Sequence, residues 1–159
     1  MAGECPFCQK LRNLQELPDG DIVWEMPNSV TLLGPWQYFT GYCIVVARRH
    51  VSELSEMPTS HRRGFFDEMC LVAQAIEGAF RPRKLNYELL GNQVPHLHWH
   101  LFPRRTDDPD VLRPVWFALD KTEHDQAEKT RLLAGTASRL DISNRLKMQL
   151  ERLTVKGRS

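Results

Sequence analysis

Three histidines alternate with apolar residues in the run His96-Leu97-His98-Trp99-His100, and the whole sequence has 6 histidines. If this run is a β-strand, the three imidazoles project from one face, about 6.5 to 7 Å apart, while Leu97 and Trp99 point into the core. Neutral imidazole can bind a metal, act as a nucleophile or bind phosphate. The run therefore predicts one wall of a pocket lined with imidazole.

Two cysteines near the start of the sequence, in Cys5-Pro-Phe-Cys8, offer a second kind of chemistry. The CxxC spacing is typical of a metal half-site or of a redox dithiol. A redox dithiol normally begins a helix after a strand in a thioredoxin-like unit, and this sequence lacks that pattern. A disulfide framework would need an oxidising compartment, which nothing in the sequence supports. The pair is best interpreted as half of a metal site.

The strands that must position these groups can be placed from apolar runs. A continuous, β-branched run at residues 41–47 predicts a central strand, and it ends abruptly in Arg48-Arg49-His50 at the edge of the sheet. Two short apolar runs at residues 22–25 and 30–33 flank the turn-forming residues 26–29. Together they predict an antiparallel hairpin.

The histidines themselves fall in a predicted strand over residues 94–102, closed by Pro103. A further strand is predicted over residues 85–90, and Gly91-Asn92 forms the turn between the two. The three histidine side chains are thus expected to line one face of the strand over residues 94–102.

Helices are predicted in two other parts of the sequence, residues 60–80 and the C-terminal tail. Apolar residues recur at offsets of 0, 4, 7, 8, 11 and 15 from Phe65, which predicts an amphipathic helix over residues 60–80, stopped by Arg81-Pro82. The tail has two helical faces interrupted at residues 141–144. One face holds Leu133, Ala137 and Leu140, and the other holds Leu146, Leu150 and Leu153. The order of elements predicts an α+β domain with a mainly antiparallel sheet.

The composition excludes several classes of protein. The chain has 21 Lys and Arg against 20 Asp and Glu, so its net charge of +1 gives no field for a nucleic acid polymer or a membrane surface. No apolar run approaches the roughly 20 residues that cross a bilayer, and the first residues lack a signal-peptide pattern. A length of 159 residues suits a single domain, and the cytoplasm is the expected compartment.

Two segments together resemble the histidine triad (HIT) superfamily. Residues 86–104, NYELLGNQVPHLHWHLFPR, resemble its signature of three histidines alternating with apolar residues. Residues 41–50, GYCIVVARRH, resemble its strand that ends in a basic residue and a histidine. With the CxxC pair, the resemblance covers roughly residues 4 to 105. It implies a HIT-like fold, with a HIT domain over residues 1–110 and a largely helical extension over residues 111–159, packed on the same domain.

The resemblance also implies a nucleotide hydrolase or nucleotidyltransferase acting at an α-phosphorus. His98 would be the nucleophile, since neutral imidazole has a free lone pair, and a covalent nucleotidyl-His98 would form. His100 would bind phosphoryl oxygens or the leaving group, and Asn92 and Gln93 would donate to the same groups. Asn86 lies near a family asparagine of the site. The substrate would be a dinucleoside polyphosphate, a nucleoside phosphoramidate or another nucleotide conjugate, and the protein would be a homodimer.

Zinc is the cofactor that the resemblance adds. Within the zinc-bearing branch of the family, the first histidine of the triad is a metal ligand, which here is His96. Cys5 and Cys8 with His50 and His96 would complete a Cys₂His₂ set, and a closed set of four ligands is structural rather than catalytic. The alternative is a CxxC pair without metal and a solvent-facing His50.

One departure from the family bears on ribose binding. Many members carry an acidic residue where this chain has Gly34, so Gln37 or backbone groups would have to hold the ribose hydroxyls, or the substrate is not an ordinary ribonucleotide. Phosphate could be attracted by arginines at the strand ends, which are otherwise ordinary exposed cations. These are Arg48, Arg49, Arg104 and Arg105.

Two other classes of function stay open. The protein could be a nucleotide-binding or sensor module with slight catalysis, although the complete triad argues against this. It could also be a metalloenzyme that uses His96, His98 and His100 as ligands of one catalytic ion.

Overall fold

The computed structural model describes residues 5–156, which form an α+β fold around a five-stranded antiparallel sheet. The strand order is β1-β2-β3-β5-β4. The strands are β1 (Ile22–Glu25), β2 (Ser29–Leu33), β3 (Cys43–Ala47), β4 (Lys84–Leu89) and β5 (His98–Arg104). The helices are α1 (Pro6–Arg12), α2 (Thr59–Phe80), α3 (Val115–Lys121), α4 (Gln126–Leu133) and α5 (Arg139–Lys156), with 3₁₀ turns at Leu14–Glu16 and Leu54–Glu56. The predicted fold class is confirmed.

The hairpin and the central strand lie where the sequence placed them. β1 pairs with β2 antiparallel, with Glu25 opposite Val30, and β2 continues into an antiparallel pair with β3. The central strand begins two residues later than predicted, at Cys43. Gly41 has a φ of +90°, a conformation that L side chains rarely adopt, so the chain turns there before the strand begins.

The predicted strand over residues 94–102 is wrong at both ends. Residues 94–97 are irregular, so His96 precedes β5. Phe7 nevertheless contacts the rings of both His96 and His98, and Leu97 lies in the core with Trp99. Pro103 does not close the strand, because β5 continues to Arg104. Pairing with β3 ends at Leu101, so at Pro103 the strand has a neighbour on the β4 side alone and the missing N–H leaves no gap in the β3 ladder.

The long helix is confirmed and covers one face of the sheet. Its buried side chains pack with the inward side chains of β3 and β5, among them Val45, Trp99 and Leu101. The C-cap of this helix is Arg81. Its φ of 49° is left-handed, so the helix ends just before Pro82.

The tail packs on the same core, although its helices differ from the prediction. α5 contributes the fully buried Ile142, Leu146 and Leu150 to the core that α2 covers. The predicted interruption at residues 141–144 is wrong, since these residues lie inside α5. The predicted face of Leu133, Ala137 and Leu140 is also wrong, because all three are exposed and Leu132 is the buried residue.

The helices α3 and α4 build a second, smaller core on the other face of the sheet. Its buried residues are Phe39, Tyr42, Phe102, Val115, Ala118, Leu119 and Leu132. Within residues 5–156, no helix is both long and apolar enough to cross a bilayer.

Candidate functional site

A cavity of about 480 Å³ lies beside β5, on the sheet face opposite α2. His98 and His100 line it from β5, while Asn92 and Gln93 line it from the loop before that strand. Aromatic side chains from three other segments complete the wall, namely Phe7, Trp36 and Trp116. The cavity therefore joins two triad histidines, two amides and a set of flat apolar surfaces.

His98 is held in one tautomer by the backbone. Its Nδ1 lies 2.6 Å from the carbonyl oxygen of His96, which can only accept, so Nδ1 carries the proton and Nε2 has the lone pair. Burial lowers the pKa of His98, and the hydrogen bond to His96 raises it by less. Phe7 packs against the ring at a centroid distance of 4.6 Å. A neutral imidazole with a free Nε2 is therefore fixed beside the cavity at neutral pH.

His100 is held by a different partner, which sequence reasoning missed. The hydroxyl oxygen of Tyr42 lies 2.7 Å from Nδ1 of His100. Burial and the nearby His98 lower the pKa of His100 to about 4, so it is neutral at physiological pH. The rings of His98 and His100 lie 4.7 Å apart, edge to face.

The register of β3 holds the signal that would have pointed to Tyr42. Val46 lies opposite His98 and Ile44 lies opposite His100. Because strand side chains alternate, residue 42 continues the face of Ile44 and Val46 toward the cavity. Counting back along that face leads to Tyr42.

The four predicted metal ligands do come together at the N-terminal side of β5. Cys5, Cys8, His50 and His96 each offer a ligand atom, and these atoms all lie within 4.8 Å of one another. Nδ1 of His96 lies 3.4 Å from Sγ of Cys5 and 3.6 Å from Sγ of Cys8. Sγ of Cys8 and Nδ1 of His50 lie 3.2 Å apart. A tetrahedral zinc site with ordinary bond lengths has ligand-to-ligand distances of about 3.3 to 3.8 Å.

The protonation of His96 favours a cation in this cluster. Nε2 of His96 lies 2.7 Å from the carbonyl oxygen of Ala47, so Nε2 carries the ring proton and donates it in this hydrogen bond, which leaves the lone pair on Nδ1. That Nδ1 lies 3.1 Å from Nδ1 of His50, and burial lowers the pKa of His96. Two ring nitrogens and two sulfur atoms that face one centre form a Cys₂His₂ group of the kind that binds zinc. The donor set fits Zn²⁺.

The three triad imidazoles do not surround one ion. His96 faces the cysteines, while Nδ1 of His98 and Nδ1 of His100 are each bound to a separate group. Within residues 5–156, the cluster of Cys5, Cys8, His50 and His96 is the group of ligand side chains close enough to hold a metal. The geometry does not support a catalytic metal held by the whole triad.

Two predicted substrate-binding residues lie elsewhere. Gln37 is 2% exposed and outside the cavity wall. Its Nε2 donates to the carbonyl oxygens of Gly34 and Tyr42, and its Oε1 accepts from the amide of Gly41. These bonds fix the turn before β3 and leave no free donor for a ribose.

The side-chain oxygen of Asn86 is likewise engaged within the fold, by Arg104. Its Oδ1 accepts from Nη1 of Arg104, which is 1% exposed and forms an ion pair with Asp108 at 2.7 Å. Arg104 also donates to the carbonyl oxygens of Asp110 and Arg113. Arg104 therefore fits neither alternative given for it, an attractor of phosphate or an ordinary exposed cation, because it is buried and links β5 to the loop before α3.

The absence of a side chain at position 34 has a steric cause. A Cβ at Gly34 would lie 2.2 Å from Cε1 and 2.3 Å from Cδ1 of Tyr42. The tyrosine ring thus occupies the space that any side chain at this position would need. Two acidic residues line the cavity from a different segment, namely Asp120 in α3 and Glu123 just after it.

Comparison with known proteins places these features in a family. The sequence model of the HIT domain matches residues 16–107. The chain is 27% identical over 108 residues to Protein hit of Bacillus subtilis, covering 65% of this chain and 72% of that protein. It is 30% identical over 88 residues to the asymmetrical bis(5'-nucleosyl)-tetraphosphatase of Schizosaccharomyces pombe, covering 52% of this chain and 48% of that protein.

Solved structures share the fold across nearly the whole chain. A Zn-bound histidine triad family protein from Mycobacterium smegmatis superposes with a TM-score of 0.67 at 19% identity, covering 96% of this chain and 97% of that chain. A hypothetical histidine triad nucleotide-binding protein from Sulfolobus tokodaii gives a TM-score of 0.68 at 18% identity, covering 94% of both chains. The shared fold includes the region of the helical tail.

Proposed function

Because the chain belongs to the HIT domain family, we propose that it is a nucleotide hydrolase or nucleotidyltransferase that acts at an α-phosphorus through His98. The observation that carries this proposal is the hydrogen bond from Nδ1 of His98 to the carbonyl oxygen of His96. It leaves the lone pair of Nε2 available at the cavity without the help of a general base.

In the proposed reaction, Nε2 of His98 attacks the α-phosphorus in line with the leaving group. The phosphorus–nitrogen bond forms as the bond from phosphorus to the leaving group breaks, and the leaving group departs with the electron pair. The His98 ring then carries a positive charge, which the carbonyl oxygen of His96 stabilises through the Nδ1 proton. Water or an acceptor phosphate next attacks the phosphorus. A phosphorus–oxygen bond forms as the phosphorus–nitrogen bond breaks, its electron pair returns to Nε2 to restore neutral His98, and an attacking water releases a proton to solvent.

The substrate classes that fit are nucleotides with a departing group on the α-phosphate. The side-chain amides of Asn92 and Gln93 line the cavity and can donate to phosphoryl oxygens or to the leaving group. Trp36 and Trp116 present flat surfaces suited to a base. Hydrolysis of a dinucleoside tetraphosphate is the named activity of the yeast relative, and we propose the same general class here.

We further propose that Cys5, Cys8, His50 and His96 hold a structural zinc ion. When bound, zinc would link the N-terminal helix to the segment before β5 and would keep no open coordination position. His96 supports the nucleophile from this cluster, because its side chain is a ligand and its carbonyl oxygen accepts from His98.

Trapping of the covalent intermediate tests the function. The full-length protein is mixed with a dinucleoside polyphosphate or a nucleoside phosphoramidate and quenched in alkali, where a phosphorus–nitrogen bond survives, and the His98 peptide is examined by mass spectrometry. We expect a nucleotidyl adduct on His98, and turnover lower by at least about a thousandfold in His98→Ala. The exposed His61→Ala is the matched control, with normal turnover. Nucleotide binding without any adduct would favour the binding-module alternative.

Metal analysis tests the zinc site. Purified protein should contain about one zinc per chain, and Cys5→Ser should lose it, because three ligands bind the ion less tightly than four. Cys70→Ser, at the exposed cysteine on α2, is the matched control and should keep the metal. Zinc kept in Cys5→Ser and lost in His98→Ala would contradict the assignment.

We also propose that the protein is a homodimer. β4 is an edge strand of the sheet, with Tyr87 on it and Leu90 directly after it each 42% exposed. A second copy that pairs at this edge would cover both the apolar side chains and the free backbone groups. Sedimentation velocity at micromolar concentration decides this, and a monomer would refute it.

A further inference from the structure

Two neighbouring imidazoles of the cavity are bound at the same ring atom by opposite kinds of partner. Nδ1 of His98 faces a carbonyl oxygen, whereas Nδ1 of His100 faces the phenol of Tyr42. We propose that Tyr42 is a positioning residue that keeps the proton of His100 on Nε2, so that His98 offers a lone pair to the cavity and His100 offers an N–H donor. The catalytic meaning of this arrangement rests on the proposed function.

The direction of the hydrogen bond follows from what else the phenol can reach. Among residues 5–156, His100 is the hydrogen-bond partner that the structure gives to the Tyr42 hydroxyl, and Tyr42 is 2% exposed. If Nδ1 of His100 were the donor, the phenol proton would be buried without an acceptor, which is costly. If the phenol donates, its proton is satisfied, and the neutral His100 ring must carry its own proton on Nε2.

The phenol is also prevented from turning away. Its ring stacks on Phe102 at a centroid distance of 3.9 Å and an angle of 11°. Gly34 lies against another part of the ring, so closely that a Cβ there would overlap with it. Burial raises the pKa of Tyr42 far above its usual value, so the phenol keeps its proton. The donor is therefore fixed in place and in protonation state.

The consequence for the proposed reaction is a division of work between the two histidines. As Nε2 of His98 approaches phosphorus, negative charge grows on the non-bridging oxygens and on the leaving group. An N–H at Nε2 of His100 can donate to one of these oxygens, and it keeps its proton throughout the step. The stabilisation is greatest in the transition state, because the charge that it meets is greatest there.

A spectroscopic test addresses the tautomers without any substrate. Side-chain ¹H–¹⁵N correlation spectra of the ¹⁵N-labelled full-length protein, with its metal content recorded, distinguish a protonated ring nitrogen from an unprotonated one. We expect the proton on Nδ1 in His98 and on Nε2 in His100. In Tyr42→Phe, Nδ1 of His100 should move to the resonance position of an acceptor without a hydrogen bond. A proton on Nδ1 of His100 in the parent protein would overturn the proposal.

A kinetic test separates positioning from a merely structural role. Tyr42→Phe keeps the stacked ring and removes the hydroxyl alone, so we expect kcat to fall by about tenfold, as suits one buried hydrogen bond, with KM within about twofold. Tyr38→Phe removes a hydroxyl from a ring outside the cavity wall and should leave both constants unchanged. An unchanged kcat in Tyr42→Phe would overturn the proposal, and so would a rise in KM alone.

The failure of this inference can be told from failure of the proposed function. An absent His98 adduct in the parent protein contradicts the proposed function, whereas the tautomer spectra still decide the Tyr42 assignment. An adduct on His98 together with a proton on Nδ1 of His100 contradicts the inference alone.

Discussion

Gly34→Ala is the substitution that most directly tests the packing of the cavity. The added methyl group would lie 2.2 Å from Cε1, 2.3 Å from Cδ1 and 2.7 Å from Cζ of Tyr42. Carbon atoms in contact normally stay about 3.5 to 4.0 Å apart, so one of the two residues must move by more than an ångström. Tyr42 cannot retreat easily, because Phe102 is stacked on its ring.

The cost of this overlap can be estimated from overpacked cores. An extra methyl group in a well-packed interior costs about 1 to 3 kcal/mol, and the rigid stack places Gly34→Ala at about 2 to 3 kcal/mol. For a chain of this size, that corresponds to a melting temperature lower by roughly 5 to 10 °C. The displaced hydroxyl would also lose its hydrogen bond with His100, so activity should fall at least as far as in Tyr42→Phe.

Urea unfolding and thermal melting measure this effect. Gly91→Ala is the matched control, because a Cβ there would meet its nearest neighbour, the carbonyl oxygen of Val94, at 3.8 Å. In a double-mutant cycle, Tyr42→Val removes the ring, so the added methyl in Gly34→Ala should then cost little. A Gly34→Ala protein as stable as the parent would refute the steric argument, and so would additivity in the cycle.

Two further predictions concern buried charge. The unfolding free energy should fall as the pH drops from about 6.5 toward 4, because the unfolded chain binds a proton that buried His100, with a pKa of about 4, does not. At pH 4.5 the unfolding free energy should be about 2.5 kcal/mol lower than at pH 7 because of His100. Urea unfolding of His100→Gln should show a correspondingly smaller decrease between the two pH values. Equal decreases in the two proteins would contradict the prediction. Arg104→Met should destabilise the protein by about 3 to 5 kcal/mol, because it leaves Asp108 buried without its partner. Arg105→Met, at an ion pair on the surface, should cost at most about 1 kcal/mol, and similar costs for the two variants would refute the distinction.

Sequence patterns were a sound guide to α2 and the first three strands, but they misplaced the helices of the tail. The period of 3.6 located α2 to within one residue at its start, and apolar runs located the hairpin and the central strand. The patterns also failed before β5, where the alternation of the histidine run extends back to His96 although the strand begins only at His98. The backbone of Leu97 instead bonds with Ala47 and Val51, and local sequence carries no sign of those distant partners.

The candidate site likewise contains residues that local sequence patterns indicate and residues that only distant contacts explain. The grouping of Cys5, Cys8, His50 and His96 could be expected, because the CxxC half-site and the resemblance to the HIT family both point to it. The roles of Gln37 and Asn86 could not, because each is fixed by groups that the fold brings to it. Tyr42 was missed for a related reason, since its partner lies 58 residues away and the pair is visible only through the register of β3 and β5.

The structure orients the two cavity histidines from separate parts of the chain. His98 depends on the carbonyl oxygen of His96, whose ring bonds to Ala47 and faces the cysteine cluster. His100 depends on Tyr42, whose ring is fixed by Phe102 and Gly34. A disturbance of the cluster of Cys5, Cys8, His50 and His96 can therefore reach His98 through the carbonyl oxygen of His96 and through Phe7, which packs on the His98 ring. The two tautomers are set by different hydrogen bonds, and the proposed reaction requires both at once.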